Sequence, residues 1–381
     1  MKAYIIYRQL YDPTGEHILI GGIETYLFSL FGVLVKAGYT PVVIQCATKN
    51  FSIMHNDQVQ IRGYQTRKNA SMKAYIKELY SCIRNELKAE DLVIFGTDTN
   101  SPKVKHKKTL AIQHGIDFDY YPMEEKKRCF LYQLGLWPIV KWVQRRRAKK
   151  SFDRTTYRVC VDYNFWNWYR TFSVPALEKN IFVVPNFTEI PDFHAREYDA
   201  KRPVQVILAR RFVRRRGISV FIRAIEKLNG MGVNAEYTFA GSGVLEPQID
   251  ELMAKYPNIR KFSYSADQAI KLLQQYDISV VPTIGSEGTS FSLLESMAAG
   301  NAVICTPVGG MSNIILNGYN GLFVMPDSDE DLANSIRELV ENFPKRNFLA
   351  QKAYETAKHS FSRAVWEEKW LKILSKIDHR A

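Results

Sequence analysis

Along most of the 381-residue chain, short apolar runs rich in Val, Ile and Tyr alternate with longer stretches whose apolar positions recur every three or four residues. That alternation is the pattern of stacked β-α-β units on parallel sheets, whose strands are buried on both faces. In the first half it predicts strands at KAYIIYR, PVVIQCA, DLVIFGT, TLAIQHG, YRVCVD and IFVVPN, with the clearest intervening helix at ASMKAYIKELYSCIRNELKAE. A fresh series follows at PVQVILA, AEYTFAG, DISVVPT, AVICT and GLFVM. The predicted fold class is α/β, with two Rossmann-like domains facing a central cleft. The polar stretch 186–203, with two prolines and no clear periodicity, is the predicted join. Residues 1–195 form the expected first domain and 196–361 the second, with a terminal helix over 362–381 packing back onto the first.

The length suits two cores better than one. The balance of 52 Lys and Arg against 39 Asp and Glu, net +13, favours anionic partners such as phosphates or acidic lipid. Five scattered cysteines without a C-x-x-C pair argue against a disulfide framework or a zinc site and fit a reducing cytosol. The opening residues run directly into a strand pattern rather than a signal peptide, and no stretch reaches the roughly 18 to 20 apolar residues of a membrane span. The expected location is therefore cytoplasmic.

Ligands of doubly wound sheets bind at strand-to-helix loops, and the chemistry-bearing motifs fall on such loops. SEGTSFSLLESMAAG (286–300) follows a strand and opens a helix closed by Gly300. Ser290 or Ser292 can cap that helix, and Ser292 with Glu295 fits a capping box. The free amides from Gly288 through Thr289, Ser290 and Phe291 to Ser292 suit a phosphate or sugar hydroxyls, while Glu287 and Glu295 can accept from a polyol. The competing reading makes Glu295 a cap and Glu287 a solvated loop residue. In LARRFVRRRGISVF (208–221), Arg211 and Arg216 are the chosen partners for a diphosphate, against the alternative of a solvated cationic loop. Gly21 and Gly22, before a helix, allow amides to approach an anion, or merely make a turn. The loop of Gly241 and Gly243 can line the same cleft. The full dinucleotide fingerprint is absent, which counts against an NAD enzyme. His114 ends a strand and can donate to a sugar hydroxyl or stabilise charge; otherwise it is structural. Residues 126–152 mix aromatic and aliphatic side chains with dense Lys and Arg, as a segment lying on an anionic membrane would, or a core helix with a basic end. No nucleic-acid-binding signature accompanies them.

In combination and order these motifs resemble the retaining GT-B glycosyltransferases of group 1, or family 4. The resemblance rests on Arg211 and Arg216, the G-S-G loop, YDISVVPT, the E-x7-E pair and PVGGMSNIILNGYNGLFV, and more loosely on Gly21-Gly22, QHG at His114 and VVPN ending at Asn186. It implies a nucleotide-diphosphate sugar donor, with UDP or GDP expected, held mainly by the second domain, and a glycan or lipid-linked acceptor held by the first. Glu295 would bind ribose hydroxyls and Glu287 the donor sugar. Arg211, Arg216 and the backbone at Gly22 would face the diphosphate, and His114 would hydrogen-bond the sugar near the reacting carbon. No metal or cofactor would be required, and the setting would be bacterial cell-surface polysaccharide synthesis at the inner membrane face. Two departures stand out: Arg216 where the family often has Lys, and Asn301-Ala302 where it commonly reads x-Pro. A sugar-nucleotide epimerase and a catalytically idle binding or scaffold protein are the alternatives. Oligomeric state is left open.

Overall fold

The computed structural model describes residues 1–67, 70–116, 118, 126–172, 179–195, 197, 199 and 201–380. The chain forms two compact units: residues 1–114, 139–185 and those from Trp366 onward make the first, and residues 115–138 and 186–365 the second. In chain order the elements begin with β1 (Lys2–Ile6), α1 (Gly22–Lys36), β2 (Thr40–Ala47), β3 (Phe51–His55), β4 (Val59–Gln65), α2 (Met72–Ile83), β5 (Leu92–Phe95) and β6 (Thr109–Gln113). They continue with α3 (Lys126–Gln133), α4 (Trp137–Phe152), β7 (Tyr157–Cys160), α5 (Tyr163–Arg170) and β8 (Ile181–Val183). The second series is β9 (Val204–Ala209), α6 (Ile218–Gly230), β10 (Ala235–Ala240), α7 (Glu246–Lys255), β11 (Ile259–Phe262), α8 (Ala269–Leu273), β12 (Ile278–Val281), α9 (Phe291–Ala298), β13 (Ala302–Cys305) and β14 (Leu322–Phe323). Helices α10 (Asp329–Glu341), α11 (Phe343–Ser360) and α12 (Arg363–Arg380) complete the chain.

The first unit holds a sheet of order β3-β4-β2-β1-β5-β6-β7-β8, and the second one of order β11-β10-β9-β12-β13-β14. Among the described strands every pairing is parallel except β3 with β4. That hairpin is absent from the sequence expectation, although its turn residues Asn56 and Asp57, both at positive φ, are the type a tight hairpin uses. The short β11 was also missed: its pattern of exposed and half-buried positions at the sheet edge lacks the apolar run of a central strand. Central strands are buried throughout, as in β5 and β6, and each fully buried Ile, Leu or Val there contributes about 1.5–3 kcal/mol relative to exposure.

The break between the units falls after Pro185, ahead of the expected residue 195. The reason is local. Asn186 donates to the Thr289 carbonyl, Thr188 pairs with the backbone around Phe361 and Arg363, and the Tyr354 hydroxyl donates to Pro191 O at 2.8 Å, so this stretch is fastened to the second unit. The terminal helix α12 joins the first unit from Trp366 onward.

In both sheets the strand order reverses beside the first strand of the series, between β1 and β5 and between β9 and β12. Loops at the carboxyl ends of those strands are where a doubly wound sheet presents its binding residues.

Candidate functional site

In the second unit, the loops after β9 and β12 meet. Arg210 continues the β9 ladder through its amide, which donates to Ala240 O at 2.9 Å, so the sheet fixes the direction of its side chain. The buried guanidinium donates to the Thr283 hydroxyl and, at 2.7 Å, to Glu287 Oε2. Arg216, at the end of a short 3-10 turn, donates to the same oxygen. Thr283 also donates to it. Burial lowers the Arg210 pKa to about 10, which still leaves the group cationic at neutral pH.

Of the expected pair Arg211 and Arg216, Arg216 bonds to Glu287, and Arg210, which was not singled out, bonds to it as well. Arg211, one residue past the strand direction, is exposed and makes none of the bonds to Glu287.

The loop glycines explain how these segments come so close. A Cβ on Gly241 would lie 2.1 Å from Arg210 O, and one on Gly243 2.6 Å from Phe212 O, both at positive φ. These two residues therefore support the arginine-bearing turn. From the other side, Gly309 at φ +56 would place a Cβ 1.8 Å from Glu287 O, and the Gly310 amide donates to that carbonyl at 3.1 Å. The PVGG turn thus clamps the backbone beneath Glu287.

Helix α9 is capped by Ser290, whose hydroxyl accepts from the Leu293 amide, and ends before Gly300 at φ +74. The expected box between Ser292 and Glu295 does not form, because Ser290 already occupies the cap position one turn before Leu293. Thr289 and Ser290 are buried, and Asn186 Nδ2 donates to Thr289 O at 2.6 Å. Gly288 and Phe291 are partly exposed, with Phe291 packed edge-on against Phe187 at 5.9 Å. The first-turn amides of Phe291 and Ser292 have no acceptor within the helix and sit at its positive end.

Glu295 lies on the same helix. Burial raises its pKa to about 7, and the nearby Arg210 opposes that rise. Tyr264, not anticipated from sequence, joins this neighbourhood; burial first and Glu295 second push its phenol up to about 12. Nothing in its short surrounding pattern marks it. Asn301, one of the departures from the family pattern, is fully buried and donates to the carbonyls of Leu273 and Tyr276. Its role there is to finish the end of α8.

In the first unit, His114 follows β6. Its Nε2 lies 2.9 Å from Gly96 O. A carbonyl only accepts, so Nε2 carries the proton and Nδ1 is the free acceptor. Burial lowers the pKa to about 4, opposed by the Gly96 carbonyl, and the ring is neutral at physiological pH. In this arrangement Nδ1 is the nitrogen of His114 left to accept a hydrogen bond.

Gly21 is extended at φ −171 and Gly22 begins α1. The Glu24 carboxylate folds over this helix start, 2.2 Å from where a Gly21 Cβ would stand, and its other oxygen accepts from the Tyr7 hydroxyl at 2.8 Å. Among the described residues there is no group of three or more His, Cys, Asp or Glu that could hold a metal ion, and no helix is long and apolar enough to cross a membrane.

Two sheets of this topology, one bearing Arg210, Glu287 and Arg216 at its switch point, define a GT-B protein. The backbone superposes on sucrose-phosphate synthase from Thermosynechococcus elongatus with a TM-score of 0.76, at 15% identity, covering 100% of both chains. Residues 190–356 match the family described as glycosyl transferases group 1, so the resemblance to that group is shown in sequence across most of the second unit. An uncharacterized glycosyltransferase of Methanocaldococcus jannaschii is 30% identical over 161 residues, 41% of this chain and 43% of that protein. The N,N'-diacetylbacillosaminyl-diphospho-undecaprenol alpha-1,3-N-acetylgalactosaminyltransferase of Campylobacter jejuni is 25% identical over 177 residues, 46% of each. The matched segment spans less than half the length of either relative.

Proposed function

We propose that this chain is a retaining glycosyltransferase that moves a sugar from a nucleoside-diphosphate sugar to a glycan or lipid-linked acceptor. The carrying observation is the convergence of Arg210 and Arg216 on Glu287, beside the open amides of α9. Two guanidinium groups focused on one carboxylate oxygen form an anion site that a diphosphate can enter by exchange. As it does, Glu287 is released to accept from donor-sugar hydroxyls, and Glu295 accepts from the ribose. When the bond from the anomeric carbon to the phosphate oxygen breaks, negative charge grows on the diphosphate. The fixed arginines and helix-end amides then stabilise the transition state more than the ground state. The acceptor oxygen bonds to the anomeric carbon on the face the phosphate leaves, and its proton passes to the departing phosphate oxygen. The positive charge required comes from the arginines, and the proposed reaction uses no metal ion. His114 accepts from a hydroxyl of the donor sugar.

The Campylobacter relative is named for a diphospho-undecaprenol acceptor. A comparable lipid-linked acceptor, in cell-surface polysaccharide synthesis at the cytoplasmic membrane face, suits residues 126–152. This stretch holds nine Lys or Arg and no Asp or Glu. Phe130 on α3 is 60% exposed, and Ile139 and Trp142 on α4 are 60% and 54% exposed. Replacing Arg145, Arg146, Arg147, Lys149 and Lys150 by Gln should release the protein from vesicles containing anionic phosphatidylglycerol; unchanged retention would remove the membrane from the proposal.

Thermal unfolding with UDP, GDP, CMP and NAD tests the donor reading, since a ligand of the folded state stabilises it by about 2.7 kcal/mol at one hundred times its Kd. Stabilisation by UDP or GDP in wild type, lost in Glu295→Ala, supports a nucleotide-sugar enzyme. Stabilisation by NAD alone overturns it. Conversion of a UDP-sugar to its epimer without an acceptor would favour the epimerase alternative. Binding without turnover of any donor would favour an idle scaffold.

A further inference from the structure

Tyr26 stands on α1, fully buried, with its ring edge-to-face against His114 at 5.4 Å between centroids and an interplanar angle of 89°. Its opposite side is walled by α12. Trp366 packs against it at 5.2 Å and 88°, and the Trp370 indole N–H donates to the Tyr26 hydroxyl oxygen at 2.9 Å. Trp370 is also fully buried, and all of these residues belong to the first unit. Among the described residues, the imidazole of His114 has one polar anchor, the Gly96 carbonyl, and one ring wall, Tyr26.

We infer that Tyr26, held by Trp370 of the terminal helix, is a positioning residue that fixes the ring plane of His114, whose tautomer the Gly96 carbonyl sets. The inference rests on the proposed role of His114 toward the donor sugar. A single hydrogen bond at Nε2 leaves an imidazole free to rock about that contact; an edge-to-face wall removes the freedom. The wall is itself set by a hydrogen bond, because a buried phenol without a partner would shift to find one. Residues more than 250 positions downstream in sequence thereby act on His114 without touching a ligand. A preset Nδ1 lone pair lets His114 meet a sugar hydroxyl without first reorienting. Burial by the same wall keeps water from the ring and the imidazole neutral.

The test uses the whole protein labelled with 15N-histidine, which has seven histidines. The ring-nitrogen spectrum is recorded from pH 5 to 8, and the His114 signal is assigned by its absence in His114→Gln. Wild type should show a single Nε2–H tautomer that does not titrate in this range. Trp370→Phe, which keeps an aromatic ring but lacks the N–H, should keep the Nε2–H tautomer but give displaced, broadened ring-nitrogen signals and a midpoint moved up into the range. A Trp370→Phe protein that folds and leaves the His114 signal as in wild type overturns the inference. If Trp370→Phe fails to fold, Tyr26→Phe is read in the same way, with the same two outcomes. Turnover separates this inference from the reading beneath it. His114→Ala without effect on kcat would defeat the role of His114 itself. With that role intact, Trp370→Phe should lower kcat about fivefold in wild type and not at all in the His114→Ala background. Equal losses in both backgrounds would overturn positioning alone.

Discussion

The second unit builds its candidate site by laying backbone on backbone, whereas the first builds its own from rings and a carboxylate. Around Arg210 and Glu287, main-chain carbonyls lie where Cβ atoms of Gly241 and Gly309 would be, at 2.1 Å and 1.8 Å. Around His114, the neighbours are Tyr26 and the indoles beyond it, and Gly21 faces only the movable tip of Glu24. Contacts of the first kind admit one residue type and leave a fixed trace in the sequence. Contacts of the second kind can be made by several side-chain combinations, so the trace is loose.

The sharpest way to break this contrast is a pair of alanine substitutions. Gly309→Ala adds a methyl group at φ +56 against an immovable carbonyl and should destabilise the second unit by about 4 kcal/mol or more, from overpacking and backbone strain together. Gly21→Ala sits on extended backbone and displaces only a side-chain end, so about 1 kcal/mol or less is expected. Chemical denaturation of both variants checks the pair, and equal losses would erase the distinction.

A smaller effect lies in Glu295. Its folded pKa, about 7, is raised above the ordinary 4.5, so the folded state binds more protons between those values. Its contribution therefore falls as pH rises from about 4.5 to 7, by up to about 3 kcal/mol. Glu295→Gln should remove that slope, so its stability relative to wild type should increase from pH 4.5 to 8. Parallel curves would contradict the desolvated carboxyl.

Smaller again is Asn186→Ala, which leaves the Thr289 carbonyl without its donor and should cost about 1–3 kcal/mol. The same experiment asks whether residues 186–195 belong to the second unit: the loss should appear in the unfolding transition that the nucleotide shifts.

The parallel architecture was legible because buried strands leave unbroken apolar runs, and the meeting of the loops that carry Arg216 and Glu287 because both follow strands of one sheet. The bond of Arg210 to Glu287 was not legible, since five arginines within seven positions look alike until the sheet direction is known. The β3–β4 hairpin escaped because its exposed face dilutes the apolar pattern. The tautomer of His114 depends on Gly96, and its ring wall on α12, neither of them near in sequence.

The most direct test of the donor site is calorimetric titration of UDP and GDP into wild type, Arg210→Ala and Arg211→Ala. One of the two nucleotides should bind wild type and Arg211→Ala with affinities within about threefold, and Arg210→Ala about tenfold or more weaker, as loss of a charge-assisted contact of about 1.5–3 kcal/mol requires. Binding of neither nucleotide, or a loss that follows Arg211 instead of Arg210, would contradict the site described above.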